Sequence, residues 1–277
     1  MSSLNIGNHL NQVVLTAKRA LFEQGELAQL TYGAFDIAVR ELQSSEVENV
    51  EVTFPVGYNP DKTAMHTTRI YPKDELLMKY QRLAFHQLSV NAIVQLVTIV
   101  ETMLGDVVRA VVVRFPKKLG NKRNLSIQTV LESTSIEEIH LRATDALLNE
   151  LSYKSPAEFA ESAQQLFSVN LLECPAFHRY VEVKATRDIF IHNGGVANDV
   201  YVRKAASHAR VKAEMTLPVD IQYFLESYES CLQLSEWIEA KLNDTWHSSE
   251  YEDRKNPQIP LPLAPPPEAI VQGEPPQ

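Results

Sequence analysis

The chain has 277 residues, of which 44% are hydrophobic, so it is long enough for one large domain or two small ones with a sizeable core. Its formal net charge of −9 argues against non-specific binding to nucleic acid, because affinity for phosphates comes from clustered lysine and arginine. With two cysteines and no paired His/Cys spacing, we expect no disulfide scaffold, no structural metal site and no cofactor.

The segments that usually direct a chain to a membrane are not predicted. The N-terminal "MSSLNIGNHL" lacks a basic segment followed by an apolar run, so we expect no secretory leader. The most apolar region, residues 90–115, is interrupted by polar residues every few positions, which a bilayer span would not tolerate. We therefore expect a cytoplasmic protein without a membrane partner, and the low cysteine content agrees with a reducing compartment.

The N-terminal part predicts helices followed by a small hairpin. Apolar residues recur at helical spacing over residues 8–42, and Gly25 is expected to separate this pattern into two helices. Residues 48–71 then alternate as "VENVEVTFPV", turn at "GYNPDKT" and return as "MHTTRIYP", which predicts two strands.

The rest of the chain predicts helices and then a mobile tail. Residues 73–115 indicate one long helix, or two with a break near Ser89, ended by Pro116. Ser135 and Ser155 suit helix N-caps. From residue 256 the proline content is too high for packing. The remaining helical patterns cover residues 135–151, 155–167, 175–193, 207–215 and 218–242.

These elements predict an all-α fold with three parts. An N-terminal helical region with a hairpin at 48–71 covers residues 1–87, a helical bundle covers 88–245, and a disordered Pro-rich tail covers 246–277. The tail segment "PLPLAPPP" is expected to be plain disorder or a docking sequence for a partner.

The segment "TRDIFIHNGG", residues 186–195, combines two residues suited to catalysis. Arg187 and His192 lie five positions apart, on different sides of a helix, and His192 shares a mostly apolar stripe, which favours a structural histidine. Against this, Asp188 lies one turn before His192 and can orient its imidazole. The Asn-Gly-Gly at 193–195 can end the helix, and a twofold dimer would bring two Arg–His pairs together. Both alternatives stay open.

Two basic segments are candidates for binding RNA, although each is also explained as a solvated face of the protein. The first segment, "RFPKKLGNKRN", contains Lys117, Lys118, Lys122 and Arg123. The second segment follows the Arg–His motif and contains Arg203, Lys204, Arg210 and Lys212.

The run "RDIFIH" followed by "NGGVANDVY" resembles the R-x4-H signature of HEPN domains, and the resemblance covers about residues 88–243. The segment "IVQLVTIVETMLGDVVRAVVVRFPKKL" is similar to the first core helix of these domains, with Glu101 as its acidic residue. Asp188 stands where the family often has asparagine, and residues 1–87 match no part of the family.

The resemblance implies an all-α HEPN-like bundle that forms a homodimer and cleaves RNA without a metal, as a toxin or phage-defence effector with an antitoxin or other protein partner. Histidine suits proton transfer and arginine suits phosphate charge, so His192 and Arg187 are the expected catalytic pair. The implied supporting residues are Asp188, Asn193 and Glu101. Glu101 is either a partner of Arg187 or a buried polar residue, Asn193 either caps the helix or touches phosphate, and Tyr201 either stacks on a base or packs.

Two other functions stay open. One is a HEPN-like dimeric module that binds or regulates a partner without catalysis, which the acidic net charge favours. The other is a helical scaffold in which Arg187 and His192 are structural.

Overall fold

The computed structural model describes residues 5–119, 126–152 and 154–255. Lys122, Arg123 and the tail from residue 256 onward lie outside the described residues. Within the described ranges, no helix is both long enough and apolar enough to cross a bilayer.

Most described residues lie in helices, and two strands form one antiparallel hairpin, which confirms the predicted fold class at this level. The strands are β1 (Asn49–Tyr58) and β2 (Ala64–Pro72). The α-helices are α1 (Ile6–Ser44), α2 (Lys73–Gln81), α3 (Leu88–Arg114), α4 (Ile127–Glu132), α5 (Ile136–Ser152), α6 (Pro156–Phe167), α7 (Phe177–His192), α8 (Asp199–Ala205), α9 (Ile221–Trp246) and α10 (Ser249–Lys255).

The main core is built around α3, which packs against α1, α9, α7, α5 and α6. Many of its buried positions are β-branched, as in Val97, Val100 and Val107, and such residues have low intrinsic helicity. The contacts with five neighbouring helices therefore stabilise α3. This core also contains Leu10 and Leu21 of α1, so it extends across the predicted division between residues 87 and 88.

The predicted interruption of the first helical region is wrong, because α1 is one continuous helix of 39 residues. Gly25 lies on its buried face, and a Cβ atom there would come within 2.8 Å of the Tyr228 ring of α9. The glycine allows close packing of two helices and does not end one. Tyr32, two turns further along α1, donates to or accepts from the Ser89 hydroxyl at 2.9 Å.

Residues 73–114 form one helical path that changes its hydrogen-bond pattern in the middle. A π-helical segment, Arg82–Gln87, connects α2 to α3, and the helix continues through Ser89, where a break was one of the two predictions. The helix ends at Arg114, just before Pro116, as predicted. The proline begins a short 3₁₀ segment, Pro116–Leu119.

The hairpin lies at the far end of α1 and is mostly exposed on both faces. Its strands pair from Asn49 with Pro72 to Tyr58 with Ala64, and an irregularity lies between Pro55 and Gly57. The Lys73 ammonium donates to the carbonyl of Ser45 at 2.6 Å, which ties the end of β2 to the end of α1.

Local capping signals predict the helix starts well in the second half of the chain. Ser155 and Glu158 form a capping box at the start of α6, and the Glu138 amide donates to the Ser135 hydroxyl at 3.1 Å at the start of α5. The predicted helix at 207–215 is wrong. After the 3₁₀ turn Ala206–His208 the chain extends and pairs with the segment after α7, through an Ala197 to Met215 backbone hydrogen bond of 2.9 Å.

The start of the predicted disordered tail also differs from the structure. Ser249–Lys255 forms α10, which packs against α1, so ordered structure continues beyond Trp246 as far as Lys255. The Arg254 guanidinium donates to the Asn11 side chain at 2.7 Å, and this contact attaches α10 to the start of the chain.

Two glycines of α1 should respond in opposite ways to replacement by alanine. A Cβ at Gly33 meets no atom within 4 Å, so Gly33→Ala should stabilise the protein by about 0.5–1 kcal/mol through helix propensity. A Cβ at Gly7 would lie 2.3 Å from the His247 carbonyl oxygen, so Gly7→Ala should destabilise it by about 1–3 kcal/mol. Urea unfolding of both variants measures the change in the free energy of unfolding. Equal changes in the same direction would contradict the packing of α1 against the end of α9.

Candidate functional site

The Arg–His motif lies in the second half of α7 and ends as the sequence predicts. The helix stops at His192, and the amides of Asn193 and Gly195 both donate to the Ile189 carbonyl, at 2.9 and 3.3 Å. Gly194 and Gly195 have φ angles of 58° and 83°, a left-handed conformation that glycine adopts without steric cost.

Arg187 points toward α3 and binds Glu101, as one of the two sequence interpretations of Glu101 expects. The guanidinium donates to the Glu101 carboxylate, and only 16% of the Arg187 side chain is exposed. The Lys184 ammonium, one turn earlier on α7, donates to the other oxygen of the same carboxylate. Glu101 therefore holds two cations of α7 against α3.

Asp188 does not orient His192, which corrects the prediction made from their spacing. One Asp188 oxygen lies 3.4 Å from the Arg187 guanidinium, and the other lies 3.4 Å from the Lys204 ammonium of α8. Lys204 becomes a neighbour of Asp188 through tertiary packing, so the local spacing of the sequence gives no signal for it. The result is a chain of charges, Lys184–Glu101–Arg187–Asp188–Lys204, across α3, α7 and α8.

His192 is exposed at the end of α7, so it is not part of the core. Across the described part of the chain, no hydrogen bond or ion pair joins it to Arg187, Asp188 or Glu101. Asn193 donates its side-chain amide to the Val196 carbonyl, which closes the turn after the helix and agrees with a capping role. Within one copy of the chain, the side chains of Arg187 and His192 therefore make no contact with each other.

A second polar cluster, which the sequence did not reveal, lies on the opposite side of α7. The Glu182 carboxylate is 3% exposed and accepts hydrogen bonds from Thr186, Tyr201 and Tyr223, each at 2.8 Å. The Arg210 Nε donates to it at 3.0 Å. The only local signal was the Glu182–Thr186 spacing of four residues, since the other donors come from more distant parts of the chain.

Tyr201 and Arg210 belong to this buried cluster and are not exposed for RNA. Tyr201 is 1% exposed, which agrees with the packing interpretation, and burial raises the pKa of its hydroxyl to about 12. The Arg210 guanidinium lies 3.5 Å from the Tyr223 ring centre and also donates to the Pro218 carbonyl.

The other predicted RNA-binding residues are distributed over two elements. Lys117 is exposed, whereas the Lys118 ammonium lies 5.3 Å from the Trp246 ring centre, and burial lowers its pKa. Arg203 is exposed at the end of α8, beside Lys204. Among the residues that the structure describes, no group of three or more His, Cys, Asp or Glu side chains has the arrangement of a metal site.

Removal of the cation from the buried cluster should reveal whether Arg210 is structural. Arg210→Met leaves the Glu182 carboxylate buried without its charge partner and should destabilise the protein by about 3–5 kcal/mol. The double variant Glu182→Gln/Arg210→Met should recover part of this loss, because the neutral amide can still accept from the tyrosines. Arg203→Met, at an exposed position, should change stability by less than about 0.5 kcal/mol. Strictly additive losses in denaturant unfolding would contradict the pairing.

Comparisons with known proteins give no family assignment. No family model, no curated protein and no solved structure matches this chain. The HEPN resemblance therefore stays a prediction based on the residues quoted for it.

Proposed function

We propose that this protein is a metal-independent endoribonuclease of HEPN type, acting at a composite site formed by two copies of the chain. The observation that carries the proposal is the exposure of His192 on the same helix as Arg187, whose position is set by Glu101 and Asp188. The imidazole has no internal hydrogen bond in the described residues, so it is free to exchange a proton with a substrate hydroxyl.

In this mechanism the 2′-oxygen of RNA forms a bond to the adjacent phosphorus, and the bond from phosphorus to the 5′-oxygen of the next nucleotide breaks, which leaves a 2′,3′-cyclic phosphate and a 5′-hydroxyl. The site must take the proton of the 2′-hydroxyl, supply a proton to the leaving 5′-oxygen and stabilise the charge of the phosphorane. His192 moves the proton, and the guanidinium of Arg187 donates hydrogen bonds to the phosphate oxygens. The need for a 2′-hydroxyl makes RNA the substrate and excludes DNA. A toxin or defence role, with an antitoxin as partner, belongs to the same proposal.

The proposal includes a dimer because one chain holds Arg187 and His192 apart. Five residues of α-helix place Arg187 and His192 about 7.5 Å apart along the axis and on different sides of it. A twofold axis near the end of α7 would bring the arginine of one copy toward the histidine of the other. Arg203 and Lys204 at the end of α8, near Asp188, would then supply contacts to the RNA backbone.

A second candidate is a HEPN-like dimer that binds a partner without cleaving RNA. It is favoured by one observation: the Arg187 guanidinium already has Glu101 and Asp188 as partners. A substrate phosphate would have to compete with these two carboxylates. Under this candidate the protein retains RNA or a protein partner and releases no product.

The test is cleavage of mixed RNA in EDTA by the protein and by Arg187→Ala and His192→Ala. Each substitution should lower the cleavage rate by about 10²-fold or more, the usual contribution of a general acid or base. Arg179→Ala and His178→Ala are matched controls, because both residues are exposed on the same helix outside the motif. Their rates should stay within about twofold of the parent rate.

Mixing the two inactive variants tests the composite site. If each site takes arginine from one copy and histidine from the other, mixed dimers regain one intact site and part of the activity. Sedimentation must first show that the mixture contains dimers. If these dimers do not regain activity, the shared site is rejected. A parent protein that binds RNA without cleaving it would support the second candidate and reject the nuclease.

A further inference from the structure

A cavity of about 300 Å³ lies between α3, α5, α6 and α7, beside the charged chain of the candidate site. Its walls are mostly apolar and include Leu104, Val108, Leu148 and Phe159. This volume is at the lower end of the range for small-molecule sites, about 300–1,000 Å³. Apolar walls with a few converging polar groups are the usual composition of such a site.

The polar groups around the cavity are mainly cationic. The described residues that line it include three lysines, Lys154, Lys184 and Lys204, but a single carboxylate, Glu101. Lys154 and Lys204 also pair with carboxylates away from the lining, at 3.2 Å from Glu150 and 3.4 Å from Asp188. Each of the three ammonium groups therefore has a carboxylate partner, and an anion in the cavity would compete with these carboxylates for the lysines of the lining.

One face of α7 contributes both apolar and charged side chains to the lining of the cavity. Tyr180 and Lys184 lie one turn apart on α7, and both line the cavity. Tyr180 is 3% exposed, and its hydroxyl has no hydrogen-bond partner among the described residues. Because this hydroxyl is itself buried from solvent, Tyr180 contributes its ring to the wall of the cavity.

The charge state of Lys184 agrees with an anionic ligand. Burial, together with the nearby Arg187 and Lys204, lowers the pKa of its ammonium to about 8, and Asp188 opposes this shift. Glu101 is the carboxylate that its ammonium contacts. A bound anion close to this ammonium would favour its protonated form.

We infer that this cavity binds a small amphipathic anion, with an apolar chain against Leu104, Val108 and Phe159 and a carboxylate against Lys184 and Lys204. One water occupies about 30 Å³ in the liquid, so the volume corresponds to roughly ten non-hydrogen atoms, the size of an eight-carbon acid. The inference goes beyond RNA cleavage and does not depend on it.

The first experiment compares three probes of equal chain length by titration calorimetry at pH 7. Octanoate should bind saturably with one site per chain. Octanol, which lacks the charge, should bind about tenfold more weakly, and octylamine should give no detectable binding, because the lysines repel it. Absence of octanoate binding, or equal binding of octanoate and octanol, would overturn the inference.

The second experiment locates the site with matched variants. Gly105 lines the cavity, and a Cβ there would lie 3.8 Å from the Leu148 side chain, so alanine fits while leucine extends into the space. Gly105→Leu should abolish octanoate binding, and Gly105→Ala should keep it. Lys184→Met should weaken binding about tenfold, the loss expected for one charged hydrogen bond.

Lys241→Met is the control for loss of a lysine, because Lys241 is a half-exposed lysine of α9 that pairs with Asp244 and does not line the cavity. It should bind octanoate like the parent protein. If Lys184→Met does not fold by circular dichroism, Lys204→Met provides the same test of the charge. Unchanged octanoate binding in Gly105→Leu and in the folded lysine variant would place the ligand elsewhere and overturn the inference.

Discussion

The buried carboxylate of Glu182 organises the half of the protein that carries the candidate site. It accepts hydrogen bonds from Thr186 of its own helix, Tyr201 of α8, Arg210 of the following loop and Tyr223 of α9. A buried charge without partners would cost several kcal/mol, and these four donors together offset that cost. Because the donors come from four segments, the carboxylate is satisfied only when α7, α8 and α9 have their native arrangement.

This arrangement gives α7 two polar faces with different roles. Glu182 and Thr186 face the buried cluster, whereas Lys184 and Arg187 face α3 and meet Glu101. The partners on the second face are partly exposed, and ion pairs at such positions contribute about 0–1 kcal/mol each. The buried face therefore contributes more to the stability of the fold, and an external anion at the partly exposed face would have to compete with the carboxylates of Glu101 and Asp188.

The sequence predicts elements well where the signal is local. The Ser155 cap, the turn of the hairpin and the glycines after His192 all act within a few residues, and each is confirmed. The failures have distant causes. α1 continues through Gly25 because Tyr228 packs there, and residues 207–215 are not helical because their backbone and Arg210 pair with segments elsewhere in the chain.

The candidate site shows the same division between local and distant information. The sequence could place Arg187 and His192 on one helix, and it could offer Glu101 as a partner for Arg187. Spacing alone suggested Asp188 as the partner of His192, because a separation of four residues brings side chains to one face of a helix. Lys204 competes for the same carboxylate from α8, and no pattern within α7 contains that information.

Glu101 would link the binding of the two proposed ligands, RNA and a small anion. One of its oxygens accepts from Lys184 at the cavity, and the other accepts from Arg187 at the proposed catalytic site. An anion that binds Lys184 would weaken the hold of Glu101 on that ammonium, and the carboxylate would then pair more strongly with Arg187. A phosphate that binds Arg187 would have the converse effect on Lys184. Linkage requires the two effects on binding free energy to be equal, so one shared carboxylate is sufficient to couple the cavity to the end of α7.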